Sequence, residues 1–130
     1  MDKIASMPRL AAGEVRIALA AQAELCPRFH RAVELIGRRW TGAIVQVLLG
    51  GSRRFVELKE SVPGISERLL VQRLRELVAE GLVLRTVLPG PPVGVEYELT
   101  DAGRDLEGAM VAVGTWATRW LPDPAVTKVS

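Results

Sequence analysis

Apolar residues recur at helical spacing along most of this chain and turn strand-like at only one place. Residues 10–25 are Ala-rich with Pro8 near their start, which predicts a helix. Cys26-Pro27 interrupts it, because a residue before proline is pushed out of helical space. A second helix is predicted over 27–36, with Gly37 as its stop. The run "RRWTGAIVQVLLGG" predicts a short apolar helix over 40–49, closed by Gly50 and Gly51. Ser52, Arg53 and Arg54 then read as a basic turn, and "FVELKESV" as another short helix ended by Pro63-Gly64. Ser66 is placed to cap a long helix running to Glu80, with Gly81 beyond its end. The character changes at Leu82. "LVLRTVL" (82–88) and "VEYEL" (95–99) are β-rich and flank "PGPPVG", which predicts a two-strand ribbon with a long turn. Thr100 caps a last helix over about 101–121, with Asp101 in its first turn, and the tail "PDPAVTKVS" is predicted to be disordered.

A short helix, a tight turn, a capped helix and a hairpin, in that order, make the arrangement of a winged helix-turn-helix. The fold class predicted is therefore mainly α with a small β-hairpin wing. On a wheel of about 100° per residue with Ser66 at zero, Leu70, Leu74, Leu77 and Val78 fall between roughly 20° and 120° and form the core stripe. Arg75, Arg68 and Gln72 fall near roughly 180°, 200° and 240°, directly opposite, while Arg73 lies on the flank with Leu69. An Arg/Gln face can also be a merely solvated one, with Glu76 and Glu80 pairing to its neighbours. The helix before it and the hairpin after it favour the reading of DNA, where Arg suits guanine and Gln suits adenine.

Charge supports that placement. The 130 residues carry a net +2, but residues 26–81 hold ten basic groups against six acidic ones, so the positive excess sits in the segment containing the capped helix. Composition excludes other classes. No apolar run approaches the ~18 residues of a membrane span, the N-terminal residues lack the apolar core of a signal peptide, and no membrane role is expected. A single cysteine forbids an intramolecular disulfide and fits a reducing, cytoplasmic setting. His30 is the one histidine, which argues against a His/Cys zinc site; no metal and no cofactor are expected.

Three further features carry candidate chemistry. Cys26 occupies the N-cap of the 27–36 helix beside Arg28 and His30, a setting that favours thiolate chemistry in general; the alternative is a small, buried, inert cysteine. Cys26 and His30, one helical turn apart, are the only conceivable nucleophile–base pair, and no orienting carboxylate or oxyanion donor accompanies them, so no enzyme is expected. The last helix carries Leu106, Met110, Val113, Ala117 and Trp120 on one stripe, with Trp116 a turn before Trp120. That exceeds the core of a small winged helix and predicts burial against a second subunit. Packing inside one chain and a pocket for an apolar effector are the alternatives. Gly108 and Gly114 fit a close helix approach, and Trp40 is expected to anchor the core.

The chain closely resembles the HxlR-type transcriptional regulators, a branch of the MarR-like winged-helix proteins. The match is carried by Cys26-Pro27, "LIGRRWT" (35–41), "RRFVEL" (53–58), "PGIS" (63–66), "QRLREL" (72–77), "GLVLRTV" (81–87), "VEYELT" (95–100) and "GRDL" (103–106). The resemblance implies a homodimer, more often a repressor, on a palindromic operator, with 66–80 as recognition helix and 82–99 as wing. The implied organisation is an N-terminal dimerisation arm (1–25), a DNA-binding domain (26–124) and a short tail (125–130). Dimerisation is expected through the N- and C-terminal helices. Residues expected to meet DNA are Arg53, Arg54, Ser66, Arg68, Gln72, Arg73, Arg75 and Arg85. Cys26 is a candidate sensor of oxidants or electrophiles, as in some family members, and Met110, Val113, Trp116, Ala117 and Trp120 are candidates for a dimer interface or effector pocket. One departure stands out. The family commonly has a basic residue just before "VEY", whereas no charge lies between Arg85 and Glu96 here, so a weak wing contact is expected. The competing class is a winged-helix module that binds protein and not DNA.

Overall fold

The computed structural model describes residues 26–124, in two units that divide between Gly42 and Ala43. The helix expected over 10–25, the arm 1–25 and the tail 125–130 lie outside the described residues.

In the first unit, α1 (Pro27–Ile36) starts with proline in its first turn and buries no residue. Gly37 caps its end, but with φ −85° and an N–H donated to the Val33 carbonyl, so it stops the helix without a left-handed turn. The next helix, α2 (Thr41–Leu49), begins one residue later than predicted, because Trp40 takes a left-handed φ of 76°. Trp40 is only half-buried and carries the Arg39 guanidinium 5.1 Å from its ring centre. It is therefore no core anchor of the kind expected.

The second unit holds the core, built from Ile44, Val45 and Leu48, from Leu58, Val62 and Ile65, and from Leu70, Leu74 and Leu77, with Leu82, Val83, Tyr97 and Leu99 from the hairpin. The helix-turn-helix consists of α3 (Phe55–Ser61) and α4 (Glu67–Ala79). Burial of Val62 and Ile65 pins both ends of the Pro63-Gly64 turn to the core. Ser66 caps α4 as predicted, its Oγ accepting the Leu69 N–H at 3.1 Å. At the other end, Gly81 takes φ 79° so that the Leu82 N–H reaches the Leu77 carbonyl (3.0 Å) and the Gly81 N–H reaches the Val78 carbonyl (3.0 Å). Leu77 and Leu82 are both buried, the apolar contact that accompanies this type of helix stop.

Two expectations are corrected here. Arg53 and Arg54 are not a turn but a two-residue strand, β1 (Arg53–Arg54), so the wing is a three-stranded antiparallel sheet in the order β1–β3–β2. The hairpin strands β2 (Val83–Leu88) and β3 (Gly94–Leu99) pair from Val83–Leu99 to Leu88–Gly94, and β1 sets Arg53 opposite Tyr97 and Arg54 opposite Glu96. The last helix is broken in two, α5 (Asp101–Arg104) and α6 (Glu107–Trp120). Thr100 caps α5 by accepting the Gly103 N–H (3.2 Å), and donates its own hydroxyl to the Gly81 carbonyl (2.6 Å). A β-carbon on Gly103 would collide with the Leu82 carbonyl, so glycine permits this close approach. Thr100 thus ties the end of α4, the base of the wing and the start of α5 into one junction.

Candidate nucleic-acid interface

The leucines of α4 decide which face is left over. Leu70, Leu74 and Leu77 are buried, which leaves Arg68, Gln72 and Arg75 exposed on the opposite side. Val78, assigned to the core stripe from the wheel, is 37% exposed instead. Arg68, Gln72 and Arg75 form no hydrogen bond or ion pair among the described residues. Arg73 differs. Its guanidinium is largely buried and lies 3.1 Å and 3.3 Å from the two Glu76 carboxylate oxygens, so its charge is already engaged within the helix. Three arginines that look alike in sequence are thereby separated into two open cations and one paired one.

The wing adds a further cation. Arg85 is exposed on β2, and it shares with Arg75 a groove of about 480 Å³ between α4 and the sheet. Val71, Val78, Val95 and Tyr97 line the same groove, giving it an apolar floor whose charged edge is made by Arg75, Arg85 and Glu67. The pairing register explains the placement: Arg53, Tyr97 and Arg85 lie directly across the three strands from one another and share one face of the sheet. Arg54, Glu96 and Thr86 are likewise aligned, on the other face.

The two arginines of β1 are therefore split. Arg53 donates from Nη1 to the Ser52 carbonyl (2.9 Å), and its guanidinium lies over the Gly50-Gly51 turn. Arg54 gives its backbone N–H to Glu57 Oε1 (2.7 Å) at the start of α3, and its side chain reaches along the wing to Gly94. The sequence shows two adjacent basic residues; only the strand pairing, with partners some forty positions away, separates their roles.

Elsewhere, Cys26 is half-buried at the N-cap of α1, and His30 Nε2 lies 3.5 Å from Glu34 Oε2 in an i, i+4 pair. On α6 no residue is buried: Met110 and Ala117 are half-buried, while Val113, Trp116 and Trp120 are exposed. Among the described residues, Trp116 and Trp120 do not pack into a core. Gly108 and Gly114 face open space, so close helix approach within the described chain does not explain them. No helix among the described residues is long and apolar enough to cross a membrane.

A capped helix with an open Arg/Gln face, preceded by a tight turn and followed by a β-wing that carries Arg85, defines a winged helix-turn-helix DNA-binding protein. The model of the HxlR-like helix-turn-helix family matches residues 35–125, and the chain belongs to that family of transcriptional regulators. The HTH-type transcriptional regulator YvaP of Bacillus subtilis is 46% identical over 104 residues, covering 80% of this chain and 95% of its own. YodB, an HTH-type transcriptional regulator of the same organism, is 41% identical over 96 residues, covering 74% and 86%. Its reduced form superimposes with a TM-score of 0.69 at 40% identity over 75% of this chain and 96% of that one. Its quinone-bound form gives 0.66 at 38% identity, over 74% and 100%.

Proposed function

We propose that this chain is a homodimeric repressor that occupies a palindromic operator by placing one α4 from each subunit in successive major grooves. The observation that carries this reading is the open Arg68–Gln72–Arg75 face, opposite the buried leucines of a doubly capped helix. Two recognition helices about one helical turn of DNA apart, ~34 Å, then read the half-sites. Dimerisation is supported by α6, whose Val113, Trp116 and Trp120 present an exposed apolar stripe on which the Arg119 guanidinium rests, 5.3 Å from the Trp120 ring centre. Arg75 and Arg85 serve as phosphate or base contacts from the two walls of one groove. A regulator of this type works in the cytoplasm, where its DNA is.

Footprinting on the promoter of the protein's own gene tests the assignment. Arg68→Ala and Gln72→Ala should each lose about 1–3 kcal/mol of preference for the operator over random duplex. Unchanged specificity in both variants would discard the face. Steep weakening by salt separates this reading from a protein-binding module held by apolar contacts, which should hardly respond.

A second layer, control by thiol chemistry, is favoured by the half-exposed Cys26 at a helix N-cap and by the solved quinone-bound form of YodB. The Cys26 sulfur would add to a quinone ring, with the thiol proton passing to the ring oxygen. Alternatively, two Cys26 thiols of a dimer would lose two protons and two electrons to an oxidant and join as a disulfide. A promoter assay in which Cys26→Ser keeps the full response to quinone would dispose of this layer.

A further inference from the structure

The loop of the wing is uncharged, yet a positive charge lies on it. From Thr86 to Val95 the hairpin carries no basic side chain. Arg54 stands on the neighbouring strand β1, opposite Glu96, and Glu96 lies two residues from Gly94 on the same face of the sheet. A β-carbon built on Gly94 would be 3.6 Å from Arg54 Nη1 and 3.7 Å from its Cζ. The guanidinium therefore fills the space that a side chain at position 94 would begin to occupy. It forms no ion pair among the described residues, and Arg54 is exposed. Arg53, its neighbour, is held on the other face and bonded to Ser52.

We propose that Arg54, reaching across from β1 over the bare backbone of Gly94, supplies the wing's contact to a DNA phosphate. The wing is thus armed from outside its own hairpin. Gly94 matters because it leaves the room, and its backbone conformation is one that any residue can adopt. The inference rests on the DNA-binding reading above and adds a residue pair to it. Each contact of this kind releases condensed counterions, so it appears in the salt dependence of binding and not in base preference.

The test is a charge relocation, measured by fluorescence anisotropy of full-length protein on a random-sequence duplex of some thirty base pairs over a salt series. Arg54→Ala should weaken binding roughly tenfold and make the slope of log K against log salt shallower by about 0.9 per bound subunit. Adding Gly94→Arg to Arg54→Ala should restore both affinity and slope, because the charge returns to the same place from the hairpin. Adding Gly94→Ala to Arg54→Ala should restore neither. In the otherwise unchanged protein, Gly94→Leu should displace the guanidinium and mimic part of the Arg54→Ala loss. An unchanged salt slope in Arg54→Ala, or failure of Gly94→Arg to restore it in a variant of unchanged circular dichroism, overturns the proposal. Either result leaves the α4 reading intact if Arg68→Ala still loses operator preference; absence of salt-dependent binding by the wild-type protein overturns both.

Discussion

Two helices of the same unit, α4 and α6, make opposite use of their apolar residues. α4 sinks Leu70, Leu74 and Leu77 until they are at most 1% exposed, whereas α6 leaves Trp116 and Trp120 56% and 64% exposed. The larger exposed apolar area is on the helix with no fully buried residue. Helices in proteins are held mainly by the tertiary burial of one face, so α4 is secured by its own chain and α6 needs something else. The division suits the proposed dimeric regulator. Its reading helix would keep its shape whether or not DNA is present, while a helix covered by a second subunit would make assembly part of its stability.

The largest effect expected is at the buried end of that contrast. Leu74→Ala should cost about 2–5 kcal/mol of folding stability, measured by urea denaturation at fixed protein concentration. Next, Trp120→Ala should leave the unfolding of dilute, monomeric protein nearly unchanged but raise the dimer dissociation constant about 30-fold, a hot-spot loss of ~2 kcal/mol, in analytical ultracentrifugation. If Trp120→Ala instead destabilised the monomer as much as Leu74→Ala, the contrast between the helices would be wrong. The smallest effect concerns the cap: Ser66→Ala should cost about 1 kcal/mol, because the Leu69 N–H loses its acceptor. A cap variant that bound DNA no more weakly at equal folded fraction would show that Ser66 shapes α4 without touching its target.

The parts of the fold that were legible in sequence are those fixed by neighbours along the chain. The Ser66 cap, the leucine period and the Gly81 stop are all local signals, and they place α4 within one residue. What escaped was set by distant partners. A two-residue strand has no periodicity to read, and Arg53–Arg54 become β1 only because β3 passes alongside. The break between α5 and α6 lies at an ordinary-looking Asp105-Leu106, where the Leu106 N–H turns to the Gly103 carbonyl (3.1 Å) and the helix tightens. The wheel placed Arg68, Gln72 and Arg75 on the exposed face, where the structure has them, but could not tell that Glu76 engages Arg73, since an i, i+3 pair is an option and not an obligation. The position of Arg54 over Gly94 had no sequence signal at all, because only the folded sheet brings residues 54 and 94 together.

The Thr100 junction gives the arrangement a mechanical sense. A single threonine hydroxyl both holds the carbonyl of Gly81 and starts α5, so one side chain joins the end of α4 to the helix that follows the wing. Gly103 lies against the Leu82 carbonyl at the same junction, so α5 and the C-terminal end of α4 meet there with no side chain between them. A tilt of a few degrees at one end of a thirteen-residue helix becomes a sideways step of an ångström or more at the other. That other end carries Arg68.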